Sequence, residues 1–240
     1  MFSLKDVVQS IDQTLLKPAS TEKDYLQLCA EAKQSGFKAI CVLPYYVPFC
    51  VEQLKNSPVV VATVVGFPLG ANSREVKAFE AEQAFAAGAA EVDMVINLGA
   101  LKDRKIQDVF LEIQQVVDVA QTFAEKLVKV IIETGLLTAE EKRLACELAV
   151  KAGAHFVKTS TGFNGGGATV EDVLLMAAIV GKKAKVKAAG AIRTWTQAEE
   201  LLRAGASRLG TSSGKSIVAQ YQEADQESRK GHLLNGVEGS

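Results

Sequence analysis

The chain has little of what metal chemistry needs. It contains two histidines, His155 and His232, and four cysteines, Cys29, Cys41, Cys50 and Cys146. No two of these cysteines stand at C-x-x-C spacing, so a zinc site has few ligands to draw on and no metal is expected. The cysteines suit free thiols in a reducing cytosol. An excess of charge of one sign is also missing: 27 Lys and Arg face 28 Asp and Glu, a net charge of −1 at pH 7. Such a surface has no general attraction for nucleic acid or an anionic membrane, and neither is expected as a partner. Any affinity for an anion must therefore be local. No apolar run reaches the ~20 residues that a membrane-spanning helix needs. The N-terminal stretch MFSLKDVVQSIDQTLL lacks the unbroken apolar core of a signal peptide, and a cytoplasmic location is expected.

What is present is an alternation of short β-branched runs and longer alanine-rich amphipathic stretches. Hydrophobic residues make up 48% and charged residues 23%, an ordinary globular composition. The expected strands are Ser10–Leu15, Phe37–Leu43, Val59–Val65, Glu91–Asn97, Leu127–Glu133, His155–Thr159, Lys185–Ala188 and Ser207–Gly210. Helical periodicity fills Ser73–Ala87, Ile106–Ala124, Ala139–Lys151, Val170–Val180 and Thr196–Ala204. Alternating β and α elements without long gaps imply a parallel sheet. Eight such units in 240 residues favour a closed (β/α)₈ barrel of one domain over an open doubly wound sheet. Glycine closes a helix before a strand at Gly36, Gly88, Gly153 and Gly205. The barrel is expected over residues 1–220, with residues 221–240 as a final helix remnant and a polar tail.

Chemistry on such a barrel sits at the C-terminal ends of the strands. Two strands carry a lysine there, Lys158 in HFVKTSTG and Lys187 in KVKAAG. Burying an unpaired ammonium is costly, so lysine inside a strand is unusual. Alternation puts Phe156 and Lys158 on one face and Val157 on the other, which leaves Lys158 pointing into the barrel. Consecutive strands place Lys158 and Lys187 on neighbours roughly 4.8 Å apart. An ordinary lysine is neutral to under roughly 0.1% at pH 7, and only the neutral amine attacks a carbonyl. A second ammonium nearby and desolvation both favour that neutral form. The blander alternative is that each lysine caps a strand and snorkels to solvent.

Asp93 stands within the apolar run EVDMVIN and, by alternation, faces inward with Glu91. A carboxylate there needs a cation, Lys187 or Lys158, and serves either as a structural ion-pair partner or as a proton carrier. Three stretches suit an anion: STGFNGGG (160–167), AGAIRT (189–194) and GTSSG (210–214). They follow strands six, seven and eight, where barrels often hold phosphate at helix N-termini. GFNGGG fits neither the dinucleotide fingerprint nor a P-loop.

As a set, DQTLLKP (12–18), CVLP (41–44), VGFPLG (65–70), EVDMVIN (91–97), VIIETG (130–135), VKTSTG (157–162), VKAAGAIRT (186–194) and LGTSSG (209–214) resemble the deoxyribose-phosphate aldolase family, from about Ile11 to Ile217. The resemblance implies reversible cleavage of 2-deoxy-D-ribose 5-phosphate to D-glyceraldehyde 3-phosphate and acetaldehyde through a Schiff base, without metal or cofactor. It puts the Schiff-base lysine at Lys158, the second lysine at Lys187 and the proton-shuttling aspartate at Asp93. Phosphate contacts fall on Gly162, Gly190, Arg193, Gly210, Ser212 and Ser213, and Asp12, Thr14, Cys41 and Thr159 line the pocket. Barrels of this family often form homodimers, although no helix face in the sequence marks an interface. The chain departs from many members at Gln13, where histidine is common, and at Ala191, where a second glycine is common. It also ends NGVEGS, without the terminal tyrosine of some members. The rival readings are a Schiff-base barrel aldolase acting on keto sugars, of the transaldolase kind, and a silent barrel that only binds a sugar phosphate.

Overall fold

Each expected β-branched run forms one strand: β1 Ile11–Leu15, β2 Ala39–Val42, β3 Val60–Val65, β4 Glu91–Val95, β5 Leu127–Ile131, β6 Phe156–Lys158, β7 Lys185–Ala189 and β8 Ala206–Thr211. The computed structural model describes residues 2–235, and side chains as far as residue 227. Every strand pairs in parallel with its neighbour in sequence, and β1 pairs with β8, so the sheet closes as β1-β2-β3-β4-β5-β6-β7-β8. The closed (β/α)₈ barrel expected from the alternation is what the chain adopts. The helices are α1 Leu4–Ser10, α2 Glu22–Ser35, α3 Val47–Gln53, α4 Arg74–Ala86, α5 Leu98–Lys102, α6 Ile106–Gln121, α7 Ala139–Lys151, α8 Val170–Val180, α9 Trp195–Arg203 and α10 Gly214–Asn235.

Period-2 alternation sorts the strand side chains into two sets. Ile40, Val42, Val61, Val65, Val92, Met94, Val128, Val130, Val157 and Val186 turn outward and join the helices in one continuous apolar layer. Burying each such side chain contributes roughly 1.5–3 kcal/mol, which is what fixes the register. The inward set is divided. On the side of β1 to β3 it is apolar and small, with Leu16, Cys41, Ala62 and Val64 in a separate cluster. From β4 round to β1 it is charged: Glu91, Asp93, Lys129, Lys158, Lys187, Arg208 and Asp12, all buried.

The four glycines expected to end helices, Gly36, Gly88, Gly153 and Gly205, all have positive φ. The expected boundary at residue 220 falls inside α10, which runs without a break to Asn235. Tyr221 belongs to the body of the protein: its ring meets Trp195 edge-on at 4.9 Å and its hydroxyl donates to the Phe2 carbonyl at 2.9 Å. Residues 236–240, the chain end at which some family members carry a tyrosine, lie outside the described residues.

Candidate active site

Closure of the sheet brings the inward charges of six strands together, β1 and β4 to β8. Lys158 and Lys187 stand directly opposite each other across β6 and β7. Their ammonium nitrogens share one acceptor, Oδ2 of Asp93, each at 2.8 Å. The other oxygen, Asp93 Oδ1, accepts from Lys129 Nζ at 2.6 Å. Lys187 also pairs with Asp12 Oδ2 at 2.6 Å, and Arg208 Nε reaches Asp12 Oδ1 at 2.7 Å. Glu91 Oε2 completes the network, accepting from Lys129 at 2.7 Å and from Arg208 at 2.6 Å.

The electrostatics follow from the count. Four cations (Lys129, Lys158, Lys187, Arg208) face three carboxylates (Asp12, Glu91, Asp93) in the buried interior. With Lys158 as a neutral amine, the remaining charges cancel three against three. Lys158 is also the cation of this group with a single carboxylate contact. Burial disfavours an ionised Asp93, but Lys129, Lys158 and Lys187 outweigh it and hold its carboxyl well below the usual aspartate range. Burial likewise disfavours the Lys187 ammonium, yet Asp12 and Asp93 hold it above the usual lysine range, so Lys187 stays positive beside Lys158. Lys129 is raised for the same reason, through Asp93 and Glu91 against burial.

Lys158 forms part of the wall of a cavity of about 590 Å³ that opens at the C-terminal ends of β1, β6, β7 and β8. Of the residues expected there, Thr14, Gly162, Gly190, Arg193, Gly210 and Ser212 line it. Gly162 and Gly190 have φ of +81° and +92°, a conformation that favours glycine. Gly210 is needed for closeness: a Cβ there would stand 2.9 Å from Ala189 Cβ and 3.1 Å from Lys187 Cε. Arg193 is exposed at the head of α9, its backbone N–H donating to Gln197 Oε1 at 2.9 Å.

Four expected lining residues do not line this cavity. Asp12 sits deeper, between Lys187 and Arg208. Cys41 is packed among Leu16, Ala62 and Val64, on the apolar side of the interior. The Thr159 hydroxyl ties β6 to β7, donating to the Ala189 carbonyl and accepting from its N–H, each at 3.0 Å. Ser213 turns its N–H to Thr211 Oγ1 at 2.9 Å, because it belongs to the turn into α10. Gln13 shapes that same turn, accepting from Gly214 N–H at 3.0 Å and donating to the Ser212 carbonyl at 3.3 Å.

The sequence reading missed Lys129 and Arg208 and understated Glu91. It counted lysines in two strands, but β5 carries a third: Lys129 lies in LVKVI, with the same inward phase as Asp93, to which it is paired in register. Alternation alone could have found it. Among the described residues no group of histidine, cysteine or carboxylate side chains is arranged to hold a metal.

A family model described as DeoC/LacD family aldolase matches residues 7–220. The chain belongs to that aldolase family. It is 53% identical over 216 residues to the deoxyribose-phosphate aldolase of Caldicellulosiruptor saccharolyticus, covering 90% of this chain and 98% of that one. It is 57% identical over 216 residues to the deoxyribose-phosphate aldolase of Thermococcus kodakarensis, covering 89% of this chain and 96% of the relative. Among solved structures, the tetrameric deoxyribose phosphate aldolase from Aeropyrum pernix superposes with a TM-score of 0.85 at 33% identity, covering 92% of each chain.

Proposed function

We propose that this chain is a deoxyribose-phosphate aldolase that works through a Schiff base on Lys158. The observation that carries the reading is Lys158 in the wall of the cavity with Asp93 Oδ2 2.8 Å from its nitrogen, and a second lysine, Lys187, 2.8 Å from the same oxygen. A binding pocket for a sugar phosphate needs no such amine. The kinship with aldolases bearing that name supports the substrate.

The chemistry follows from these groups. Neutral Lys158 attacks C1 of the open-chain sugar aldehyde to give a carbinolamine. Loss of water yields the iminium, with protons relayed by a water held by Asp93 and Lys187. The iminium then accepts electrons as the C3 hydroxyl loses its proton and the C2–C3 bond breaks. Glyceraldehyde 3-phosphate leaves, and the enamine on Lys158 is protonated at C2 and hydrolysed to acetaldehyde. Asp93, held well below the usual aspartate range, acts as the acceptor that orients Lys158 and Lys187. The loops after β6, β7 and β8, with Gly162, Gly190, Arg193, Gly210 and Ser212, would hold the phosphate end through backbone N–H groups and the Arg193 guanidinium. The four free, buried cysteines fit a cytoplasmic location.

Borohydride trapping with acetaldehyde, followed by peptide mass mapping, tests the assignment. A two-carbon adduct on Lys158, together with loss of turnover in Lys158→Ala by at least about 10³-fold, is expected. An adduct on Lys187 would reverse the lysine roles, and no adduct on folded protein would overturn the Schiff-base reading.

A further inference from the structure

Glu133 is fully buried, yet no cation stands against it among the described residues. It follows β5 in left-handed backbone, φ +55°, which a non-glycine residue seldom adopts. Such conformations persist where the surroundings enforce them and cluster at functional sites. All its side-chain partners are donors. Oε1 accepts from Thr161 N–H at 3.1 Å, and Oε2 accepts from the Thr161 hydroxyl and from Asn164 Nδ2 at 2.9 Å. Only a group that accepts at both ends fits this place, and that is a carboxylate.

Those donors belong to one loop, the glycine-rich segment between β6 and α8. The Thr161 hydroxyl in turn accepts from Phe163 N–H at 3.0 Å, and Asn164 Nδ2 donates also to the Pro68 carbonyl at 3.2 Å. Phe163 meets the ring of Phe67 edge-on at 5.1 Å, which joins this loop to the one after β3. Thr161, Gly162 and Phe163 all line the cavity. The next three residues, Gly165, Gly166 and Gly167, have no side chains to restrain them. Glu133 is thus what gives a glycine-rich wall one shape.

We propose that Glu133 is a positioning residue for the phosphate end of the substrate, fixing Thr161–Asn164 so that the wall carrying Gly162 and Phe163 is set before the ligand arrives. The proposal rests on the reading that this cavity takes a sugar phosphate. Glu133 does not touch Lys158, so its effect falls on binding rather than on the amine. Glu133→Gln replaces an acceptor with an N–H₂ facing donors and releases the loop.

The test compares kcat and KM of Glu133→Gln on 2-deoxyribose 5-phosphate and on unphosphorylated 2-deoxyribose, with thermal unfolding as a check on folding. The expected loss in kcat/KM is larger by about tenfold on the phosphorylated sugar and lies mainly in KM, the order for losing hydrogen bonds to a charged acceptor. Equal losses on both sugars, or none, would overturn the proposal. Asn164→Ala, which removes one tie from the half-exposed side, should raise KM in the same direction by about fivefold and carries the test if the first variant does not fold. Calorimetric binding of inorganic phosphate to wild type and variants separates this idea from the aldolase reading. Weaker binding in the variants supports the anchor even without cleavage, whereas unchanged binding, or none by the wild type, refutes it.

Discussion

Ala191 shows how much one residue can hide. It stands between Gly190 and Ile192 in the loop after β7, and its φ is +61°. An L-residue with a Cβ holds that conformation at a cost of roughly 1–2 kcal/mol, which glycine avoids. The backbone shows that the loop keeps the shape glycine would take. Ala191→Gly should therefore raise the unfolding free energy by about 1 kcal/mol, read from urea denaturation midpoints. A drop in stability would mean that the methyl makes packing contacts worth more than the strain. The same scale accounts for the lysines: Lys158 and Lys187 each precede a small-residue turn, whereas Lys129 is followed by Val130 and Ile131, so only its inward phase marks it.

Between elements, a buried ion pair joins α4 to α6. Lys77 Nζ lies 2.6 Å from Glu112 Oε2, and Glu112 Oε1 accepts the Asn97 N–H at 2.6 Å at the start of α5. Burial lowers the Lys77 pKa and raises that of Glu112 despite their mutual attraction, so desolvation dominates at both ends. Such a pair adds little net stability, but breaking it strands a charge. Lys77→Met alone is expected to cost about 3–5 kcal/mol in urea unfolding, and adding Glu112→Gln should recover most of that. If the single and double variants were equally unstable, the loss would come from packing rather than from the stranded carboxylate. Nothing local marks this pair in the sequence, because its partners lie 35 residues apart on different helices.

At the scale of the whole molecule, the barrel interior ties stability to pH. Burial alone would raise Asp12 and Asp93, but Lys187 and Arg208 around Asp12, and Lys129, Lys158 and Lys187 around Asp93, hold both below the ordinary 3.8. Groups depressed in the folded state bind protons more readily when unfolded. Their stabilisation is complete above the unfolded value and is lost as pH falls through the folded one. Lys129 and Lys187 are shifted up from 10.5, so their contribution is complete below that value and is lost only as pH rises through the higher folded one. Urea midpoints should therefore show no loss from this network between about pH 5 and pH 10, and a steep loss below about pH 4. A midpoint unchanged from pH 5 to about pH 3 would show that the network is not tied to folding in this way.

The sequence by itself determined the barrel and its principal chemical groups. Strand alternation, helix periodicity and helix-ending glycines are local patterns, and eight repeats of them leave few ways to close a sheet. It also exposed Lys158, Lys187 and Asp93, since a charge in an apolar strand is locally anomalous. Tertiary structure alone decided which charges meet. Asp12 and Arg208 lie 196 residues apart, Arg208 and Glu91 lie 117 apart, and they become neighbours only when β8 returns to β1. The grip of Glu133 on the β6–α8 loop likewise spans 28 residues. Alternation says which side of a strand a residue faces, but not what stands across the interior, because that distance is set by closure of the whole sheet.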